Sequence, residues 1–162
     1  MTSSILVSRS TRSYSIMAIH TLGKGEQQVQ FLLGAPTRNA NIMQYWGYHL
    51  ILDCGGCDRE LMSDAQHVER WIRQLVQDIG MQPIGEPRIE YTAAEFADKA
   101  GFTVVQVIVT SSIVAHFVDN LQQIYLDVFS CKQFDYDTVK HSMQHWFGAA
   151  SMRQYSLTRQ AD

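Results

Sequence analysis

Ser111, His116 and Cys131 lie in the segments VTSSIVAHF (109–117) and IYLDVFSC (124–131), where Val, Ile and Phe otherwise dominate. A hydroxyl, an imidazole and a thiol can act as nucleophile, proton carrier and acid. A hydrolase pair of Ser111 and His116 lacks the G-x-S-x-G turn that presents such a serine. Strand residues alternate faces, so positions five apart point to opposite sides. A direct encounter of Ser111 with His116 therefore requires a kink or bulge near Ser111–Ser112. In IYLDVFSC the same period puts Tyr125, Asp127, Phe129 and Cys131 on one face and Ile124, Leu126, Val128 and Ser130 on the other. The second set is plain core, while the first carries an acid, a thiol and two aromatics. By residue type alone, polar residues tolerated in a sheet account for this pattern better than catalysis does.

Two further groups have ligand-like spacing. Cys54-Gly55-Gly56-Cys57 matches both redox dithiols and zinc half-sites. A redox dithiol needs its first cysteine at a helix start, and the nearest helical pattern begins only after Ser63. Zinc needs two more ligands at similar spacing, so a glycine-rich turn with incidental thiols is the expectation. His141 and His145, four apart, read as a solvated helix face with no third ligand nearby in sequence, and no metal site is expected.

Elements must position these residues. YWGYHLILD (45–53) reads as a strand and CGGCDREL as a turn. SDAQHVERWIRQLVQDIG spaces Ala65, Val68, Trp71, Ile72, Leu75, Val76 and Ile79 by threes and fours, with a Ser63…Gln66 capping box before it and Gly80 behind. PRIEYT (87–92) is a strand, and the unbroken apolar run FTVVQVIVT (102–110) suggests one buried on both faces. Two more strands carry the Ser111 and Cys131 segments. DYDTVKHSMQHWFG forms a second helix, with acids in front and Gly148 behind, and SMRQYSLTR (151–159) closes the order β-α-β-β-β-β-α-β. The expected fold class is α+β: a two-layer sandwich of a mainly antiparallel sheet with two helices on one face. The other face calls for sheet-to-sheet packing in a homodimer.

Residues 1–43 alternate short apolar scraps with polar residues and end in the linker-like GAPTRNAN (34–41), which suggests a poorly ordered extension before a folded domain over 44–162. The Ser- and Arg-containing, acid-free start also loosely fits an organellar transit segment. The 162 residues are 46% hydrophobic, and no apolar run is long enough to span a membrane as a helix. Net charge is -3; Arg9, Arg12, Lys24 and Arg38 against Glu26 leave the remainder at a net -6. An acidic body suits a cationic ligand and gives no electrostatic reason to expect nucleic acid or an anionic membrane. Three cysteines, an odd number, without a secretory signal point to reduced thiols and a cytoplasmic setting.

From about Trp46 to Thr158 the chain resembles the small prokaryotic-type S-adenosylmethionine decarboxylases, which make their own pyruvoyl cofactor. WGYHLILDCGGCD (46–58) is similar to the family's opening G-x-H-L strand ending in Gly-Cys-Asp. VTSSIVAHF is similar to the segment holding the cleaved serine, and YLDVFSC to the strand ending in the catalytic cysteine. The separations of five and twenty residues from Ser111 to His116 and Cys131 agree with that pattern. The resemblance implies cleavage between Thr110 and Ser111, with a pyruvoyl group derived from Ser111 that forms a Schiff base with the substrate amine and accepts the electrons released with carbon dioxide. It assigns processing to His116 and proton donation to Cys131. The product would be the aminopropyl donor for spermidine synthesis.

The chain departs from this pattern at three places. Thr110 replaces the usual Glu before the cleaved serine, and Ser112 replaces a common His after it. FVDN (117–120) stands where the family has Thr-Trp-Pro-Glu. Phe117 could stack on adenine and Asp119 could bind ribose hydroxyls or a cation, each displaced by one position, with Asp127 a further candidate for substrate binding. These departures leave two alternatives: pyruvoyl-dependent decarboxylation of ornithine or arginine, and an unprocessed, non-catalytic homologue.

Overall fold

The computed structural model describes residues 4–10, 13–22, 26–33 and 45–161. The chain divides into two compact units, Met1–Met43 and Gln44–Asp162. In the first, β1 (Ser4–Ser10), β2 (Ser13–Leu22) and β3 (Glu26–Leu33) form an antiparallel three-stranded sheet. Its register aligns Leu6 with Met17 and Met17 with Phe31. The short apolar stretches of this region thus lie in strands, which the sequence reading did not extract. The linker-like residues 34–41 lie outside the described residues.

The second unit contains β4 (Gly47–Gly55), a one-turn α1 (Arg59–Met62), α2 (Ala65–Asp78), β5 (Pro83–Thr92), β6 (Gly101–Ile108), β7 (Ser111–Val118), β8 (Gln123–Ser130), α3 (Tyr136–Phe147) and β9 (Ser151–Arg159). The six strands form one antiparallel sheet in the order β5-β6-β7-β8-β4-β9. This is the expected α+β architecture with one short helix added. Leu50 and Leu52 of β4, Ile113 and Ala115 of β7, and Leu126 and Val128 of β8 are fully buried on the inner face. Trp71, Ile72 and Leu75 of α2 and Val139, Met143 and Phe147 of α3 complete the same core.

Three local expectations change. α2 is capped by Asp64, whose Oδ1 accepts from the backbone N–H of Gln66 (2.9 Å) and His67 (3.2 Å), so the Ser63…Gln66 box does not form. Ser63 instead ends α1. A carboxylate at this position also meets the positive end of the helix dipole, which a serine hydroxyl does less well. The second correction concerns β6, which is buried on one face only: Val104 and Ile108 are fully buried, while Val107 is 48% exposed. Its continuous apolar run thus leaves half its residues on the open side of the sheet. Third, the required kink after Ser111 is absent. β7 pairs with β6 without interruption from Ser111 to His116.

At the start of α3, Asp135 receives the N–H of Asp137 (3.0 Å) and the hydroxyl of Thr138 (2.9 Å), which hold its carboxyl below the usual range. Gly148 ends the helix at φ 62°, a left-handed conformation that glycine adopts without strain. His141 and His145 are both exposed on α3. Among the described residues, no helix is long and apolar enough to cross a membrane.

Candidate active site

The separation of twenty residues between Ser111 and Cys131 is the length of one strand out and one strand back. β7 runs from Ser111 to Val118, a 3-10 turn (Asp119–Leu121) reverses the chain, and β8 returns. The pairing of Ser112 with Phe129 sets the register, which brings Thr110 and Cys131 level just beyond the paired region. The turn between β6 and β7 holds only Val109 and Thr110, because Ile108 already pairs with Ser111. The N–H of Val109 donates to the carbonyl of Gln82 (2.9 Å), tethering this tip to the segment after α2.

At the tip, the Ser111 hydroxyl donates to the carbonyl oxygen of Thr110, and Ser111 Oγ accepts from the N–H of Cys131 at 3.0 Å. The Thr110 hydroxyl contacts Cys131 Sγ. A serine oxygen therefore rests against the carbonyl of the peptide bond preceding it, with a half-buried thiol alongside. The helix side of this end is filled: Ile108, Ile113 and Ser130 are fully buried, and Met81 and Phe134 nearly so. A small molecule must approach from the strand ends or the open face.

His116 is not brought to Ser111. Five residues along a straight strand is about 16 Å, and the two side chains leave opposite faces. His116 Nδ1 meets Thr103 Oγ1 at 2.8 Å, and Thr103 in turn meets Thr92 Oγ1 at 3.0 Å. Nε2 lies 3.2 Å from the carbonyl oxygen of Lys99. A carbonyl oxygen only accepts, so Nε2 carries a proton, and in the neutral ring Nδ1 then accepts from the threonine. The imidazole is thus oriented, by a threonine that the sequence reading passed over inside an apolar run.

The family model for S-adenosylmethionine decarboxylase matches residues 48–160. The chain belongs to that family. Among solved structures it is similar to the adenosylmethionine decarboxylase from Aquifex aeolicus VF5, with a TM-score of 0.61 at 14% identity, covering 74% of this chain and 94% of that one. No curated protein matches the chain. At that identity the structural likeness bears on the fold, and the family model carries the membership.

Within this decarboxylase fold, the nucleoside-binding expectation for Phe117 is corrected. Its side chain is 0% exposed on the inner face, edge-on to Trp71 and Phe147 at centroid distances of 5.7 and 5.2 Å. A ring enclosed in the core cannot stack on a ligand. Asp119 begins the 3-10 turn at the far end of β7 from Ser111, buried, with Oδ2 accepting from the Tyr91 hydroxyl at 3.1 Å and Oδ1 without a partner among the described residues. Loss of hydration, then this hydrogen bond to a carboxylate, push the Tyr91 phenol above its ordinary pKa. Neither residue is near the Ser111 of its own chain.

Asp127 lies on the open face of β8, level with Val114 of β7 and Ile51 of β4. Its Oδ1 is 3.0 Å from Nε2 of His49. His49 is the histidine of the G-x-H-L pattern, to which the sequence reading gave no separate role. The two remaining cysteines sit at the opposite end of β4 from this pair. Burial pushes the Cys54 thiol up to about 12 and the Cys57 thiol up to about 11, so both are poor thiolates.

Proposed function

We propose that this chain is a self-cleaving proenzyme whose Ser111 becomes a pyruvoyl group and which decarboxylates S-adenosylmethionine, supplying the aminopropyl donor for spermidine synthesis. The observation that carries this reading is the contact of the Ser111 hydroxyl with the Thr110 carbonyl, with Cys131 beside both. Attack of Oγ on that carbonyl carbon forms an ester as the C–N bond breaks, and the hydroxyl proton passes to the freed nitrogen. Removal of the Ser111 α-proton then expels the Thr110 carboxylate. Addition of water and loss of ammonia leave a ketone on residue 111. That ketone supplies a Schiff-base-forming electron sink. The Cys131 N–H positions the attacking oxygen, and its thiol, next to the tip, is the proton donor for the product.

His116 stands too far from its own Ser111 to remove the α-proton. The face that carries it also exposes Ile84, Val107, Tyr125, Tyr155 and Leu157, apolar surface suited to a second copy of the chain. The reading therefore includes a homodimer packed sheet to sheet, with His116 acting across the interface.

Intact-mass analysis tests the reading. The wild type should yield fragments 1–110 and 111–162, the second reactive toward a ketone-specific reagent, and Ser111→Ala should remain whole. A wild type that stays unsplit would overturn it and favour the non-catalytic homologue. The core position of Phe117 removes one proposed contact with adenine and so favours, as a second reading, decarboxylation of ornithine or arginine. Release of labelled carbon dioxide from the three substrates separates these readings.

A further inference from the structure

Ser130 is the last of the β8 residues that face the core, after Ile124, Leu126 and Val128, and like them it is fully buried. A buried hydroxyl is costly unless it is hydrogen-bonded, and this one has two partners. Its oxygen accepts the N–H of Lys132 at 3.0 Å, and it donates to Met81 Sδ at 3.6 Å. The first bond joins positions two apart, so it closes a tight turn around the residue between them, Cys131. The strand ladder does not reach that residue. Pairing of β8 with β7 ends at Phe129, and pairing with β4 ends at Ser130. Cys131 is the first residue past the ladder, and the hydroxyl beside it sets its direction.

This turn is anchored on the connection between α2 and β5. Three consecutive residues there hold partners on both sides of the Thr110–Ser111 bond. The Gly80 carbonyl accepts from Lys132 Nζ at 3.0 Å, Met81 sulfur accepts from Ser130, and the Gln82 carbonyl accepts the N–H of Val109 at 2.9 Å. The chain that would be cut and the chain that carries the thiol are thus referenced to one short stretch of backbone. α2 has no basic residue in its last turn, so the Lys132 ammonium also meets the negative end of that helix dipole. Lys132 is exposed, whereas Ser130 is sealed in the core. Cys131 in turn donates its N–H to Ser111 Oγ and contacts the Thr110 hydroxyl through Sγ. A shift of the turn would move both contacts together.

We infer that Ser130 is a positioning residue that acts through Cys131: its buried hydroxyl, tied to Met81, holds the thiol and the N–H of Cys131 at the cleavage turn. This inference rests on the decarboxylase reading, within which Cys131 is the proton donor. It deepens that reading by naming what aims the donor.

The test uses Ser130→Ala, which removes one atom, and the pair Ser130→Thr and Ser130→Val, which share a shape and differ in the hydroxyl. On a Ser111→Ala background, iodoacetamide labelling followed by peptide mass should show Cys131 reacting about threefold faster or more in the Ala and Val variants, because the turn opens locally. The Thr variant should stay near its parent, and the buried Cys54 and Cys57 should remain unlabelled in all, reporting an intact fold. In chains able to cleave, kcat per ketone-bearing chain should fall about tenfold or more in the Ala and Val variants with KM unchanged, the scale expected of a misplaced proton donor. Ser130→Thr should restore most of it. A Val variant that matches the Thr variant in both readouts, or an Ala variant whose Cys131 reacts at the parental rate, overturns the inference. The labelling arm needs no cleavage, so a wild type that stays whole by intact mass would refute the decarboxylase reading while the labelling still decides whether Ser130 holds Cys131.

Discussion

The sharpest separation between core and ligand contact is at Phe117. The ring is fully enclosed and meets two other rings edge to face. Burying an aromatic side chain of at least about 150 Å² at about 25 cal/mol/Å² contributes roughly 4 kcal/mol. The edge-on pairs with Trp71 and Phe147 add about 0.5–1.5 kcal/mol each. Phe117→Ala should therefore cost about 4 kcal/mol or more, a large part of the 5–15 kcal/mol typical of a domain. Phe117→Leu, which keeps most of the volume, should cost about 1–1.5 kcal/mol. Urea unfolding measured on a Ser111→Ala background keeps the chain in one piece, so that the variants are compared on one uncut chain. Affinity for 5′-methylthioadenosine should be unchanged in the Leu variant. A Leu variant of wild-type stability with tenfold weaker nucleoside binding would refute the core assignment.

If His116 acts across a dimer interface, Ser111→Ala and His116→Ala should each remain uncut when expressed alone, and coexpression should restore cleavage of the His116→Ala chain only. Mass analysis that finds no cut chain in the mixture, with both variants folded, would rule out action of His116 across the interface. The buried thiols give a separate prediction. Unfolded cysteines ionise from about pH 9.0, whereas Cys54 stays protonated to about 12 and Cys57 to about 11 in the fold. Above pH 9 the unfolded state binds fewer protons, so stability should fall with pH by up to about 1.4 kcal/mol per unit for Cys54. Denaturation midpoints across pH 8–11 should show this fall, and Cys54→Ala with Cys57→Ala should flatten it. A double variant as pH-sensitive as the wild type would exclude the thiols as its source.

The order of the longer elements within residues 44–162 could be read from the sequence because several have a clean period, three and four in α2, two in β7 and β8. The spacing of Ser111 and Cys131 could be read for the same reason, since strand lengths fix the register. The position of Phe117 was also available in principle. The alternation that sorted Tyr125, Asp127 and Phe129 from Ile124 and Leu126 puts Phe117 with Ile113 and Ala115, and applying it one strand earlier would have placed the ring in the core. Other features were not accessible. Ser63 and Asp64 are adjacent capping residues, and only the backbone geometry chooses between them. The apolar run of β6 looks the same whether its second face is covered within the chain or left open, because sequence does not record which surface belongs to which layer. The pairings of His49 with Asp127 and of Thr103 with His116 join positions 78 and 13 residues apart, and only the strand order makes them neighbours.

The strand order β5-β6-β7-β8-β4-β9 has a bearing on what cleavage would do to the molecule. A cut after Thr110 assigns β4, β5 and β6 to one piece and β7, β8 and β9 to the other. Across the sheet the pieces then alternate: two strands of the first, two of the second, one of the first, one of the second. The second piece clasps β4 from both sides, while its β7 leans on β6. Separating them would require three strand-to-strand seams to open together, and the shared core with them. A broken peptide bond there would therefore be redundant as a link, and the two fragments should behave in solution as one indivisible body, with neither exchanged between molecules.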